Sequence, residues 1–442
     1  MVGRLVHPAA DRAPVPPTGR LCWRTAWENE VMHHGVNLPR LGGYNLRVVL
    51  DCIRRCPEGL SRVEISESTG LSAQTISNVT RRLINDGLVR EAGTRNLGMG
   101  KPRTILRTEP LAMLAVGVHV DPVMVHTVVV DLACQPIAHR EIPTPPDFGP
   151  EVAVAEIERS VRELLDDAGM VHPRVAGMGF AVPGPLVESV VVAPPNLPEW
   201  HSFDLRAALR ERFDWPVFVE KDVISSATGE KWLRGSEGDF GYLYFGTGVG
   251  FGLVAKGEVQ LGATGNIGEI GHLRVASSGS PCPCCGTPGT LGQLTLPAGI
   301  MREARQLGLS TDPEPSHPGA VNEQFRRLCS RAEEPQVRGV FQRLGEHLGS
   351  ACAVFSDLLD LREIVLGGPY WPLLPEVTFT ALRETANSRA ILRTVRHVDL
   401  TPAHSPHASE SVGAASLVFD RLLSANPGQL VDDQSAADVI LQ

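Results

Sequence analysis

A winged helix-turn-helix followed by an α/β domain is the fold class this sequence predicts, and two stretches predict it. Between about 42 and 108, an S-x-x-E capping box, a terminating glycine, a polar-faced second helix and a basic hairpin follow one another in that order. From about 113 onward, Val- and Gly-rich apolar runs are interspersed with helical stretches, the pattern of a sheet covered by helices. The 442 residues leave ample chain to bury the cores of two or three domains.

Bulk properties narrow the class. Hydrophobic residues make up 43% and charged residues 21%, ordinary for a soluble globular protein. The formal net charge of −9 excludes the chain as a whole from binding nucleic acid electrostatically, so any DNA contact must come from a local basic patch. No run approaches the roughly 18 to 20 apolar residues that a membrane helix needs. Arg4, His7, Asp11, Arg12 and several prolines interrupt the N-terminus where a secretory apolar region would lie. Nine cysteines, odd in number and unevenly spread, point to a reducing cytoplasm rather than a disulfide framework. The expectation is a cytoplasmic protein with no membrane association.

Residues 1–40 are rich in Pro, Arg and His and read as a disordered or partly ordered tail, in which Cys22 to Val31 can form a short helix. The winged helix-turn-helix is expected over 41–108. "NLRVVLDCIRR" places Val48, Val49, Cys52 and Ile53 on one helical face. Ser61 and Glu64 form the capping box of a second helix, which Gly70 ends. Ser72 caps a third helix whose buried stripe is Ile76, Val79, Leu83 and Ile84. "LVREAGTRNLGMGKPRTILRT" then gives two short strands around a Gly-rich basic tip.

A recognition helix must present short polar side chains to the major groove. Here the exposed face carries Ser72, Gln74, Thr75, Ser77, Asn78 and Arg81. Gln and Asn pair bidentately with adenine, while Ser and Thr suit phosphates or either base edge. Lys101 and Arg103 in "GMGKPR" form a wing tip suited to a minor groove or to phosphates. The competing reading is a helical bundle of the same shape used for protein contact. The ordered run of signals favours double-stranded operator DNA.

In the second part, "LAVGVHVD", "MVHTVVVDL", "VAGMGFAVPGPLV", "VFVEKD", "GYLYFGTGVGFGLVAKGE" and "LREIVLGGPYW" read as strands. "VAVAEIERSVRELLDDAG" reads as a helix, and a closing helix is expected near 411–424, before a frayed tail over 426–442. "GTGVGFG" resembles a phosphate-cradling loop, because glycines let backbone N–H groups approach closely; alone it is a weak signal. The order "AVPGPLV", "EKDVISSATGEKW", "GTGVGFG", "GEIGH", "VLGGPYW" is far more specific.

That order resembles the ROK family (repressors, open reading frames and sugar kinases) across residues 42 to about 425, in particular its winged-helix regulators of sugar metabolism. The resemblance implies an actin-like, two-lobed sugar-kinase fold over 109–425, with sugar bound in the interlobe cleft. It also implies a homodimer or homotetramer whose paired reading helices address a pseudo-palindromic site. The sugar-binding positions it implies are Asn196, Lys221, Asp222, Glu269 and His272. Two of these sit in a changed setting. The family's E-N-D-x-N run is here Glu220, Lys221, Asp222, Val223 and Ile224, so both asparagines are replaced. The Glu that normally follows the last zinc cysteine is Gly292. For Lys221 two readings stand open: a solvated side chain at the cleft mouth paired with Glu220 or Asp222, or a charge that favours an anionic effector such as a sugar phosphate.

ATP-using relatives open their first strand with a D-x-G-G-T-like loop. Here "GVHVDPVMV" puts His119 near the usual Asp and Asp121–Pro122 at the glycines. Pro removes an N–H and Asp repels phosphate, so no bound ATP and no kinase activity are expected, and Asp222 is vestigial as a base. The family zinc site pairs the His of G-H with three cysteines. His272, Cys282 and Cys284 fall on its spacing, the inserted Cys285 follows, and Thr290 stands at the last cysteine position. Structural zinc is therefore expected on His272 and Cys282 with Cys284 or Cys285 and an outside ligand, or with both adjacent thiols. A metal-free loop held by packing is the alternative.

The expected function is a sugar- or sugar-phosphate-responsive DNA-binding regulator of carbohydrate metabolism, most simply a repressor. The alternatives are an active sugar or amino-sugar kinase fused to a DNA-binding domain, and a regulator that has lost sugar binding and answers to a protein partner.

Overall fold

The computed structural model describes residues 38–424 apart from 97–101, 145–147, 170–173, 193, 195–196, 236–237, 316 and 406–408. Lys101, Asn196, the Cys22 to Val31 helix and the expected tails lie outside the described residues, except that residues 38–40, expected in the N-terminal tail, form the start of the first helix. Among the described residues no helix is long and apolar enough to cross a membrane.

The first domain is the expected winged helix-turn-helix. Helix α1 (Leu38–Arg54) precedes strand β1 (Leu60–Ser61), helices α2 (Arg62–Thr69) and α3 (Ala73–Asn85), and the wing strands β2 (Val89–Arg95) and β3 (Arg103–Thr108). The three strands pair in the order β1-β3-β2. The capping box forms: Glu64 N–H donates to Ser61 Oγ at 3.4 Å, and Ser61 N–H donates to Glu64 Oε2 at 2.7 Å. Gly70 ends α2 at φ 69°, a left-handed conformation that costs glycine little. On α1 the fully buried set is Leu46, Val49, Leu50 and Ile53, while Val48 and Cys52 are half-buried. The apolar face is thus rotated from the expected one. On α3 Ile76 and Leu83 are buried as expected, but Val79 and Ile84 are only half-buried. Thr80 takes the remaining core position, with its hydroxyl donated to Ile76 O at 2.8 Å.

The second domain contains two five-stranded sheets of the same topology. Strands β4 (Leu114–Val120), β5 (Met124–Val130) and β6 (Pro136–Pro143) form an antiparallel meander. Helix α4 (Pro150–Asp167) leads to β7 (Val175–Val182), and the short hairpin β8 (Leu186–Val187) and β9 (Val190–Val191) follows. Helix α5 (Leu205–Arg210) then leads to β10 (Val217–Lys221), giving the order β10-β7-β4-β5-β6. Helix α6 (Asp222–Arg234) crosses to the second lobe. There β11 (Phe240–Phe245), β12 (Val249–Ala255) and β13 (Glu258–Val259) repeat the meander. Helices α7 (Leu291–Thr295), α8 (Pro297–Gln306), α9 (Pro318–Cys329) and α10 (Pro335–Leu359) come before β14 (Glu363–Gly367). Helix α11 (Glu376–Arg389) and β15 (Asp399–Pro402) complete the order β13-β12-β11-β14-β15. No sequence repeat announces this duplication.

The closing helix α12 (Ser409–Leu423) returns to the first lobe and lies on the α6-facing side of its sheet. The approach is so close that a Cβ on Gly179 of β7 would stand 1.6 Å from the Ala414 carbonyl oxygen, so glycine is required there. Leu46, Val49, Leu50 and Ile53 of α1 belong to one continuous apolar cluster with Trp232 of α6 and Val418, Phe419 and Leu422 of α12. The DNA-reading domain is therefore packed onto the helices that join the two lobes.

Candidate functional site

Strand β10 ends at Lys221, which holds extended backbone (φ −62°, ψ 145°) and serves as the N-cap of α6. Its side chain is not solvated. Lys221 is 1% exposed and runs beneath Gly184, where a Cβ would stand 2.9 Å from Lys221 Cδ and Cε. Lys221 Nζ donates to Glu269 Oε1 at 2.5 Å, to Ile267 O at 3.2 Å and to Asn266 O at 3.4 Å. These three acceptors use all three ammonium donors. The reading of Lys221 as a solvated side chain paired with Glu220 or Asp222 is therefore corrected: its ion partner is Glu269, 48 residues away. A buried ammonium needs such a partner, because leaving it unpaired away from water costs several kcal/mol, roughly.

Glu269 is exposed and faces the cleft, whereas its partner lies behind it. Lys221, Asp222 and Glu269 line one cavity of about 100 Å³ together with Pro122, Tyr244 and Thr247. Asp222 opens α6 and accepts the Val223 N–H at 2.7 Å. Burial pushes its carboxyl up to about 7, against the pull of the neighbouring Lys221 charge. His272 is not among the residues lining this cavity; it belongs to the cysteine loop beside it.

The β4–β5 turn and the "GTGVG" loop are tied to one another. Asp121 sits in the β4–β5 turn, where its Oδ1 accepts the Val123 N–H at 2.8 Å. Its Oδ2 accepts the hydroxyl of Thr247 from the "GTGVG" loop, 126 residues on. Burial raises the Asp121 carboxyl to about 6. Pro122, which has no backbone N–H, lines the cavity beside it. An acidic side chain of the β4–β5 turn is thus bonded to the hydroxyl of the "GTGVG" loop.

In the cysteine loop, the donor atoms of His272, Cys282 and Cys284 all lie within 4.8 Å of one another. Tetrahedral zinc, with bonds of about 2.0–2.3 Å, sets its donors roughly 3.3–3.8 Å apart, so this soft, N/S donor set fits zinc. Cys282 is buried; Cys284, Cys285 and His272 are exposed. The loop is held by backbone bonds, Cys282 N–H to Thr287 O at 3.0 Å and Gly286 N–H to Cys282 O at 2.8 Å. Cys285 contacts Thr287, His272 and Cys282, and hydrogen bonding from Thr287 holds its thiol down at about 6. Thr290, at the position of the missing cysteine, is fully buried, and its hydroxyl has no hydrogen-bond partner among the described residues.

On the DNA-binding domain, Ser72 is used as N-cap, accepting the Thr75 N–H at 3.2 Å. Gln74 and Asn78 lie side by side on the exposed face, with Gln74 Nε2 3.3 Å from Asn78 Oδ1. Arg81 and Arg103 are exposed, while Thr75 and Ser77 are half-buried. Sequence reasoning missed the arginines that tie α2, α3 and the wing strands of this domain together. Arg62 donates to Thr80 Oγ1 at 3.1 Å, and Arg95 and Arg107 donate to the Glu58 carbonyl at 3.0 and 3.1 Å. These contacts span 18 to 49 residues, so no local pattern signals them.

Residues 115–421 match the ROK family. The chain belongs to that family. Residues 44–90 of this ROK protein also match the winged helix-turn-helix DNA-binding family, in agreement with the first domain. It is 25% identical over 373 residues to the DNA-binding transcriptional dual regulator NagC of Escherichia coli, covering 83% of this chain and 90% of that one. It is 24% identical over 385 residues to the xylose repressor of Caldicellulosiruptor bescii, covering 83% and 93% respectively. The crystal structure of a ROK family transcriptional regulator, a homolog of the E. coli MLC protein, superimposes with a TM-score of 0.71 at 20% identity, covering 91% of this chain and 100% of that one. The ROK chain therefore joins a DNA-binding winged helix to an actin-like, kinase-type pair of lobes, and the motif residues Lys221, Asp222 and Glu269 meet between those lobes.

Proposed function

We propose that the protein is a transcriptional regulator of carbohydrate metabolism, most simply a repressor, whose affinity for operator DNA is set by a sugar in the interlobe cleft. It acts as a homodimer or homotetramer in the cytoplasm, without kinase activity. The observation that carries this reading over the kinase alternative is the Asp121–Thr247 contact beside Pro122. It puts a carboxylate and a ring where phosphate would need N–H donors. Similarity to NagC and to a xylose repressor along most of each chain supports the regulatory part.

The effector is a neutral sugar rather than a sugar phosphate. Lys221 is spent on three protein acceptors, and the group that meets a ligand is the exposed Glu269 carboxylate, which repels an anion. Asn196 and His272 would complete the sugar contacts. Zinc on His272, Cys282 and Cys284, with Cys285 available as a further thiol, would fix the loop that carries Glu269 and play no part in chemistry. Gln74, Asn78 and Arg81 would read and grip DNA, with Ser72, Thr75, Ser77, Lys101 and Arg103 supporting the backbone contacts.

A second reading has an observation of its own. Because Lys221 already holds Glu269, the exposed acid of the cleft is committed to the protein before a sugar enters, which suits a regulator answering to a protein partner. One experiment separates the readings: fluorescence anisotropy on DNA from the gene's own upstream region, at fixed salt, with N-acetylglucosamine, xylose, glucose and glucose 6-phosphate added in turn. A shift with one neutral sugar supports the proposal. DNA binding that none of them shifts transfers support to the partner reading, and ATP turnover with any of these sugars would overturn both.

A further inference from the structure

Lys221 and Trp232 stand at opposite ends of one helix. Helix α6 starts at Asp222 and ends at Arg234, a span of about 18 Å at 1.5 Å per residue. Its first turn is part of the cleft: Asp222 and Val223 line the cavity beside Lys221. Its last turn holds the DNA-binding domain. The Arg54 guanidinium of α1 lies 3.8 Å from the Trp232 ring centroid, and Arg54 Nη1 donates to the Trp232 carbonyl at 2.8 Å. Trp232 stacks on Phe419 of α12 at 5.9 Å, and Lys231 reaches both Asp420 of α12 and Glu258 at 3.4 Å.

Between these ends α6 has no slack. Every residue from Val223 to Glu230 is buried. A Cβ on Gly229 would stand 2.7 Å from the Cα of Gly413, so the backbones of α6 and α12 touch. A close-packed helix in contact with another along its middle moves as a body rather than bending.

We infer that α6 is the rod that carries the state of the cleft to the DNA-binding domain, with Lys221–Glu269 as its input and Arg54–Trp232 as its output. The inference rests on the sugar-responsive reading only for what perturbs the input. A ligand that engages Glu269 draws it away from Lys221. The buried ammonium then loses one of its three acceptors, and the N-cap of α6 must re-seat. The displacement reaches Trp232 and changes how firmly Arg54 holds α1, and with it the placement of α3. Position between two sites does not establish coupling; a perturbation at one end must be read at the other.

The test needs no sugar. Glu269→Gln removes the input charge while keeping an amide oxygen as an acceptor for Lys221 Nζ, and Lys221→Met removes the other partner. Amide hydrogen exchange of the full-length protein, followed by mass spectrometry, is compared over the α1 peptide Leu46–Arg54. We expect exchange in that peptide to rise at least threefold in Glu269→Gln. In an Arg54→Ala background, where the output contact is already gone, the same substitution should add nothing. Changes confined to residues 184–186 and 266–269, with α1 unchanged in both input variants, would overturn the inference. An additive effect in the Arg54→Ala background would also overturn it, because the signal would then travel by another route. Since no ligand enters, a negative result leaves the sugar-responsive reading standing, and a chain whose DNA affinity no sugar shifts would leave this result intact.

Discussion

Lys221 Nζ lies 2.5 Å from Glu269 Oε1, joining a side chain 2% exposed to one 57% exposed. The pair is asymmetric: the cation is sealed under Gly184 while the anion borders the cleft. Glu269 therefore serves two masters, a buried charge it must neutralise and any ligand hydroxyl that enters. Under the proposed function, competition between them would set the cleft's affinity.

Replacing Lys221 by Asn should relieve that competition, because a neutral amide makes no ionic claim on Glu269. We expect Lys221→Asn to bind the effector sugar about 10-fold more tightly, equivalent to roughly 1.4 kcal/mol. Stability should fall by about 1–3 kcal/mol as a buried, hydrogen-bonded side chain is lost. Titration calorimetry with N-acetylglucosamine, xylose and glucose reads the first effect, and thermal unfolding the second. Unchanged or weaker sugar binding would show that the ion pair does not compete with ligand.

The cysteine loop predicts a metal content. Protein purified from zinc-supplemented cells should carry close to one zinc per chain by elemental analysis. Cys282→Ser, which removes the buried donor of the set, should abolish it. Cys284→Ser should cost more zinc than Cys285→Ser, because Cys284 belongs to the set of donors within 4.8 Å of one another. Loss of the metal should lower the melting temperature by about 3–10 °C, since the ion stabilises only the state that binds it. A chain that never retains zinc would mean that the loop is held by packing alone.

On DNA, the exposed Gln74–Asn78 pair and Arg81 should separate into two kinds of loss. Gln74→Ala or Asn78→Ala should cost about 1–3 kcal/mol on the operator and little on unrelated DNA, the signature of base reading. Arg81→Ala should weaken binding to all sequences alike and reduce the slope of log affinity against log salt by about one. Anisotropy titrations at several salt concentrations distinguish them. Equal losses on operator and random DNA for Gln74→Ala would remove it from the reading face.

How much of this was legible beforehand depends on distance along the chain. The capping box of α2 lies within three residues and was readable from Ser61 and Glu64 alone. The closing helix expected near 411–424 is α12 (Ser409–Leu423), readable with the strands leading to the glycine turns for the same local reason, whereas the motif "EKDVISSATGEKW" was not read as the helix α6. The buried face of α1 was misjudged by part of a turn: Leu46 and Leu50 share one apolar cluster with Trp232 and Phe419, nearly two hundred residues or more away in sequence, which no local pattern reveals. The cleft residues were identified by motif, but not what they do to each other. Lys221 meets a partner 48 residues on, and Asp121 meets Thr247 across 126. A substitution within a motif shows that a contact has changed; only the fold says what the new side chain touches.

Asp222 supplies a prediction whose sign follows from its surroundings. Burial raises its carboxyl from an ordinary 3.8 to about 7. Between those values the native protein holds a proton that the unfolded chain has released, so the native state is the more protonated one. Stability from this group is therefore full below about pH 4 and lost as pH rises through about 7. Asp222→Asn, which stays neutral, should flatten that dependence, gaining on the wild type as pH rises from 5 to 8. Solvent in the cleft reduces the full value of the shift, so the gain should be about 1–2 kcal/mol, or roughly 2–5 °C in melting temperature. Paired thermal scans of the two proteins across that range provide the check. Parallel curves would place the Asp222 proton elsewhere, and a gap that widens toward acid pH would mean that the carboxylate is held ionised by Lys221 after all.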